Sequence, residues 1–178
     1  MVSSTNSNAS IENKNNVLVG DCRSLIEGLK LVYDAEQQWL TVLPIIQLAV
    51  GSDDLLDLLE KFQKDEKEHL ARFESMFELL QVEIAGSDNK DMEYLIDECY
   101  DIIDVTPRHS FIRDAGLIVG MQQAQQYQIT ALTSLLAQAL ELNQEKIVNL
   151  LKIIIHSKQL EEEQLAMADA GTMLDEIV

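Results

Sequence analysis

Turn-forming and aromatic residues are scarce in this sequence. It has seven glycines, two prolines, four phenylalanines, four tyrosines and one tryptophan in 178 residues. So few turn-formers and rings argue against an all-β sandwich or barrel and leave long helices as the default. Cysteine occurs twice, at Cys22 and Cys99, far apart and outside any CxxC pattern. No disulfide framework is expected, and a reducing cytoplasm is the simplest location. Basic side chains are also few: 13 Lys and Arg stand against 31 Asp and Glu, for a net charge of -18. A surface this negative repels phosphate backbones and anionic lipid, which argues against nucleic-acid and membrane partners. It would draw metal cations or a basic protein, or serve solubility alone. The longest uncharged stretch, Ala115 to Leu140, contains six glutamines. That composition predicts a helix enclosed by other helices and not a membrane span. Met1 to Asn16 has neither a basic start nor an apolar run, so no secretory signal is expected there.

What is present is helical periodicity. Residues 1–18 are polar and small and read as a flexible tail before a domain spanning 19–178. A first helix is predicted from about Asp21 to Val50 on the stripe Leu25, Leu29, Val32, Glu36, Trp39, Leu43, Ile46, Val50. Gly51 reads as its stop and Ser52 as the next N-cap. A second runs from about Asp53 to Gln81 on Leu55, Leu59, Phe62, Glu66, His69, Phe73, Met76, Leu80. A longer connection, from about Val82 to Thr106, carries a short helix with Met92, Leu95, Cys99 and Ile102 on one face. Thr106-Pro107 reads as an N-cap followed by proline at the first helical position. The third long helix runs from there to about Leu140, with Ile118, Met121, Gln125, Gln128, Leu132, Leu135 and Ala139 inward. Asn143 is expected to cap the fourth, from about Gln144 to Ala170, on Ile147, Leu151, Ile154, Lys158, Glu161 or Glu162, and Leu165. Four long helices with one crossover make the expected fold all-α: a ferritin-like antiparallel four-helix bundle with an additional short helix between helices two and three.

Each stripe is interrupted by polar residues near its middle. Helix one offers Glu36, and helix two offers Glu66 and His69 in an ExxH pair. Helix three offers Gln125 and Gln128, and helix four Lys158 with Glu161 or Glu162. Residues three apart share a helix face, so these groups can converge in one layer. Di-metal carboxylate bundles build such a layer from single Glu residues and Glu-x-x-His pairs. This sequence meets half of that pattern. Glutamine is a poor ligand beside carboxylate, and a lysine ammonium brings positive charge where a cation would sit. Three readings stay open: a metal-free polar layer, a reduced single-metal site at Glu36, Glu66 and His69, and an intact di-metal centre. Of the remaining residues, Trp39 reads as core, His109 as solvated and His156 as a core or interface histidine. Tyr33 and Tyr127 read as packing residues, and Pro44 as a bend within helix one.

The same residues carry a resemblance. Val32-Tyr33-Asp34-Ala35-Glu36-Gln37-Gln38 with Leu43-Pro44, the run Arg72 to Leu80, Asp114-Ala115-Gly116-Leu117-Ile118, and Gln125-Gln126-Tyr127-Gln128-Ile129 occur in that order. Together they resemble the signature segments of the YciE/YciF family of bacterial ferritin-like proteins, over nearly all of residues 21–170. The resemblance implies a ferritin-like fold, homodimers and a link to stress responses, with no settled activity. It carries a metal site over at Glu36 and in the Asp65, Glu66, His69 region. In helix three the family's Glu-His-Tyr-Glu is replaced by Gln125-Gln126-Tyr127-Gln128. In helix four an acidic cluster is replaced by His156-Ser157-Lys158, with Glu162 retaining a carboxylate.

The expected function is therefore a non-catalytic, dimeric, stress-associated protein without cofactor, its layer completed by Gln125, Gln128, Lys158 and Glu162. The alternative is a metalloprotein using Glu36, Glu66 and His69 for iron or manganese storage or peroxide chemistry. A second alternative is an acidic adaptor for a basic partner protein.

Overall fold

The computed structural model describes residues 22–175. The expected tail at 1–18 lies outside the described residues. Among the described residues five helices occur in order: α1 Arg23–Ala49, α2 Asp53–Leu80, α3 Lys90–Val105, α4 Phe111–Glu141 and α5 Glu145–Asp175. Among the described residues there is no strand, and no helix is long and apolar enough to cross a membrane.

The predicted stripes are the buried faces. Leu25, Leu29, Val32, Trp39, Leu43 and Ile46 of α1 are all buried, as are Leu55, Leu59, Phe62, Phe73 and Met76 of α2. Each large apolar side chain so enclosed contributes about 1.5–3 kcal/mol. α1 continues through Pro44 without a break. α1 packs on α2, α3 and α4, and α5 packs on α4 and α2, so each long helix has two long neighbours around a shared interior. α3 lies against α4 and α1.

The helix ends differ from expectation in three places. Gly51 is not a left-handed stop, since Val50 ends α1 in extended backbone. Its role is close approach: a Cβ there would lie 2.9 Å from the backbone of His109. The α1–α2 link can therefore pass against the α3–α4 link only without a side chain. Thr106 closes α3 and does not cap α4, because Pro107 holds the residue before it out of helical geometry. His109 then turns the chain at a φ of 49°, and Ser110 caps α4 by accepting from the Arg113 N–H. Asn143 likewise belongs to the end of α4. It sits at a φ of 54°, with the Gln144 N–H donating to the Ala139 carbonyl. Ser52 caps α2 as expected, with Asp53 and Asp54 in its first turn.

The crossover is pinned by a buried residue that periodicity does not single out. Asn89 is 1% exposed, and its side chain accepts from the Met92 N–H to cap α3. Its amide nitrogen donates to the Leu31 carbonyl and to the Tyr127 hydroxyl, each at 2.9 Å. Its backbone N–H donates to Asp34 Oδ2 at 2.9 Å. One side chain thus ties α1, α3 and α4 together.

The apolar interior falls into two parts. One gathers Trp39, Leu43, Phe62, Met121 and Leu165; the other gathers Leu29, Phe73, Met76, Leu132 and Ile154. Along every long helix the polar residues predicted from the sequence lie between them.

Candidate functional site

Each long helix contributes to this layer at the point where its inward stripe turns polar. Glu36, Glu66, His69, Gln125, Gln128, Lys158 and Glu161 are all at most 2% exposed. One expected member is corrected. Glu162 is half-buried and Glu161 is inward, because the α5 stripe steps from Ile154 to Lys158 to Glu161 to Leu165. Its step after Lys158 is three residues, not four. Asp65 is 26% exposed and pairs outward with Lys61 at 3.5 Å. His156 is exposed on α5, which excludes the core half of its expectation and leaves the interface half. His109 is exposed as expected, with Nδ1 3.0 Å from the Val50 carbonyl oxygen. Both cysteines are buried and free. The tyrosines lie outside the layer: Tyr33 packs on Phe73 and Phe77, and Tyr127 bonds Asn89.

Lys158 is at the centre. Its ammonium hydrogen-bonds Glu66 Oε1 and lies 2.9 Å from Glu36 Oε2. The second contact is an ion pair whose direction does not suit a hydrogen bond. Lys158 Nζ also donates to Gln128 Oε1 at 3.1 Å. The remaining groups pair beside it. Gln125 Nε2 donates to Glu161 Oε2 at 2.5 Å and to the Lys158 carbonyl at 3.4 Å. His69 Nδ1 lies 3.6 Å from Glu66 Oε2, beyond hydrogen-bond reach.

Burial sets the protonation of the layer. Desolvation, with the Glu66 charge adding to it, pushes the Glu36 carboxyl up to about 8. Desolvation and then the Lys158 charge bring His69 down to about 4. Glu161 is raised, chiefly by burial. Burial also works against the Lys158 ammonium, but Glu36 and Glu66 outweigh it and hold the amine above its usual range. At neutral pH the layer thus holds an ammonium and a neutral imidazole, and the Glu36 carboxyl gives up its proton less readily than an ordinary carboxyl.

Ligand atoms of Glu36, Glu66 and His69 lie within 4.8 Å of one another, the spacing of a small cation site. The donor set nevertheless does not fit a metal. Lys158 Nζ already contacts both carboxylates of that triad, and α4 supplies amides in place of charge. A dication about 4 Å from an ammonium is repelled by about 8 kcal/mol at an effective dielectric of 20. That equals the whole binding energy of a roughly micromolar ligand.

These shifts make stability depend on pH. Glu36, raised from 4.5 to about 8, contributes stability that is full below its unfolded value and lost as pH rises through 8. His69, lowered from 6.5 to about 4, contributes stability present above 6.5 and lost as pH falls through 4. The two slopes oppose each other between 4.5 and 6.5, and only the Glu36 loss remains from 6.5 to 8. Urea titrations should therefore find stability falling by on the order of 1 kcal/mol from pH 6.5 to 8. Glu36→Gln should abolish that fall; an equal fall in the variant would place its source elsewhere.

Comparison with known proteins agrees with this architecture. The family described as a domain of unknown function, DUF892, matches residues 23–177. No curated protein sequence matches the chain. Among solved structures, the E. coli stress protein YciF aligns with a TM-score of 0.82 at 23% identity, covering 86% of this chain and 96% of that one. YcfI from Rhodopseudomonas palustris, for which a structural role has been suggested, aligns with a TM-score of 0.76 at 24% identity, covering 80% and 90%. The chain belongs to the DUF892 family, as a YciF-like member of it.

Proposed function

We propose that this chain is a non-catalytic, ferritin-like four-helix bundle of the YciE/YciF type in which a lysine has replaced the metal of the core layer. The observation that carries this reading is Lys158 Nζ, placed between Glu36 and Glu66 where a cation would bind. The neutral amides of Gln125 and Gln128 support it, since they remove the negative charge that a second metal needs. The protein then contributes a stable helical body to a stress response in the cytoplasm. The naming of YciF as a stress protein supports that role by likeness of fold.

We further propose that it acts as a homodimer. α5 presents Ile153, Leu160 and Met167 outward, 51, 44 and 73% exposed, one every seven residues. His156 and Glu163 lie between them on the exposed side of the same helix. A heptad stripe on a helix is a natural seam for a second copy. The competing metalloprotein reading rests on the closeness of Glu36, Glu66 and His69. It requires Lys158 to leave.

Two measurements test this reading. Protein purified without chelator and loaded anaerobically with Fe(II) or Mn(II) should carry less than about a tenth of a metal ion per chain by mass spectrometry. Lys158→Glu should lose about 3–5 kcal/mol, because it leaves carboxylates buried without their counter-charge, and added Mn(II) should restore much of that. One or two tightly held metals in the wild type would overturn the metal-free reading. Separately, sedimentation at micromolar concentration should give a species of twice 20.1 kDa. Ile153→Lys or Leu160→Lys should convert it to monomer, and a wild type already monomeric would remove the dimer.

A further inference from the structure

A second site lies at the corner where the ends of α1 and α3 meet the start of α4. A cleft of about 280 Å³ opens there, walled by Ile45, Leu48 and Ile103 and rimmed by Arg108, His109 and Arg113. We propose that this cleft binds a small organic anion: a carboxylate bearing a short alkyl or aryl group.

The cationic rim stands out against the rest of the molecule. The chain carries a net charge of -18, yet two arginines converge here. Among the described residues neither has a carboxylate within ion-pair distance. Arg113 is 5% exposed and rigidly held. Its Nε donates to Thr106 Oγ1 at 3.1 Å, and its Nη2 donates to the carbonyls of Ile103 and Thr106, each at 2.5 Å. These neutral acceptors fix the guanidinium plane and, among the described residues, leave both N–H groups of Nη1 without a protein partner. The adjacent acid does not pair with it. Asp114 spends both carboxylate oxygens on the Gly51 and Ser52 N–H groups, each at 2.9 Å. Arg108 is exposed, so it can close on a ligand from outside. Arg113 is left with Nη1 to meet one carboxylate oxygen, and the exposed Arg108 can bring the paired N–H donors that a carboxylate takes.

The opposite wall selects an apolar group. Leu48 is 82% exposed and Ile45 is 41% exposed, both facing this cleft. Covering them removes apolar surface from water at about 25 cal/mol per Å². An apolar cavity of about 150 Å³ holds a benzene ring, so the space here admits a ring or short chain together with its carboxylate. The surrounding negative field opposes any anion, and an inorganic one would use the rim alone, without apolar contacts to offset that field.

The test is a titration of the full-length protein with benzoate, followed through methyl NMR signals of Ile45, Leu48 and Ile103. Saturable shifts at roughly millimolar concentration are expected. Benzamide, which keeps the ring and loses the charge, should bind at least tenfold more weakly, and so should inorganic phosphate. Arg108→Ala touches no packed side chain and should keep the native spectrum while losing binding at least tenfold. Leu48→Ser should lose binding without altering the fold. No saturable shift, equal binding of benzamide, equal binding of phosphate, or full affinity in Arg108→Ala would each overturn the proposal. In those cases Arg113 would serve only to close the end of α3.

Discussion

A lysine ammonium held between two buried carboxylates sets the terms for the rest of this molecule. Lys158, Glu36 and Glu66 are each fully enclosed, so no water compensates a missing partner. Taking such charges out of water costs several kcal/mol apiece, and only close contact with one another repays it. That requirement is geometric. α1, α2 and α5 must keep one axial register for Nζ to reach both carboxylates, and Gln128 from α4 completes the contact. The two apolar halves of the core are tolerant of small shifts, because leucine and isoleucine side chains repack. The ionic layer between them is not. Through it the Lys158 ammonium joins all four long helices, since Nζ contacts Glu36, Glu66 and Gln128.

The layer also limits the chemistry available. A carboxylate cluster with an imidazole can hold a divalent cation, and Glu36, Glu66 and His69 have the spacing to do so. The ammonium supplies the positive charge instead, and its chemistry is not that of a metal. It offers no open coordination position, carries no redox chemistry and does not lower the pKa of a bound water. On the proposed reading, lysine stands where a metal would bind and the centre of the bundle serves structure. Activity would then reside at the surface, where the Arg108–Arg113 corner is a cationic recess in a strongly acidic molecule.

Much of this arrangement was legible in the sequence because helical burial is periodic. Stripes spaced by three and four located the inward faces of all four long helices, and their polar interruptions at Glu36, Glu66, His69, Gln125, Gln128 and Lys158 coincide with the buried layer. The choice between Glu161 and Glu162 was less clear, since both spacings from Lys158 occur on one helix face and only the continuation to Leu165 separates them. Helix ends were harder still. Thr106-Pro107 has the residue types of a helix start, yet the closing of α3 and the left-handed His109 move that start to Ser110. Asn89 and the Arg113 corner carry no periodic signal. Their partners come from distant elements, Leu31 and Tyr127 in one case and Ile103 and Thr106 in the other.

If Lys158 is the charged counter-ion of the buried carboxylates, its protonation state must show it. Side-chain ¹⁵N NMR on lysine-labelled protein would track Nζ of each lysine with rising pH. Lys158 should remain an ammonium above the ordinary lysine value of 10.5 and be the last lysine to titrate while the fold persists. A neutral Lys158 amine at or below that value would contradict it. Glu36 and Glu66 would then need another cation, and the metal reading would return.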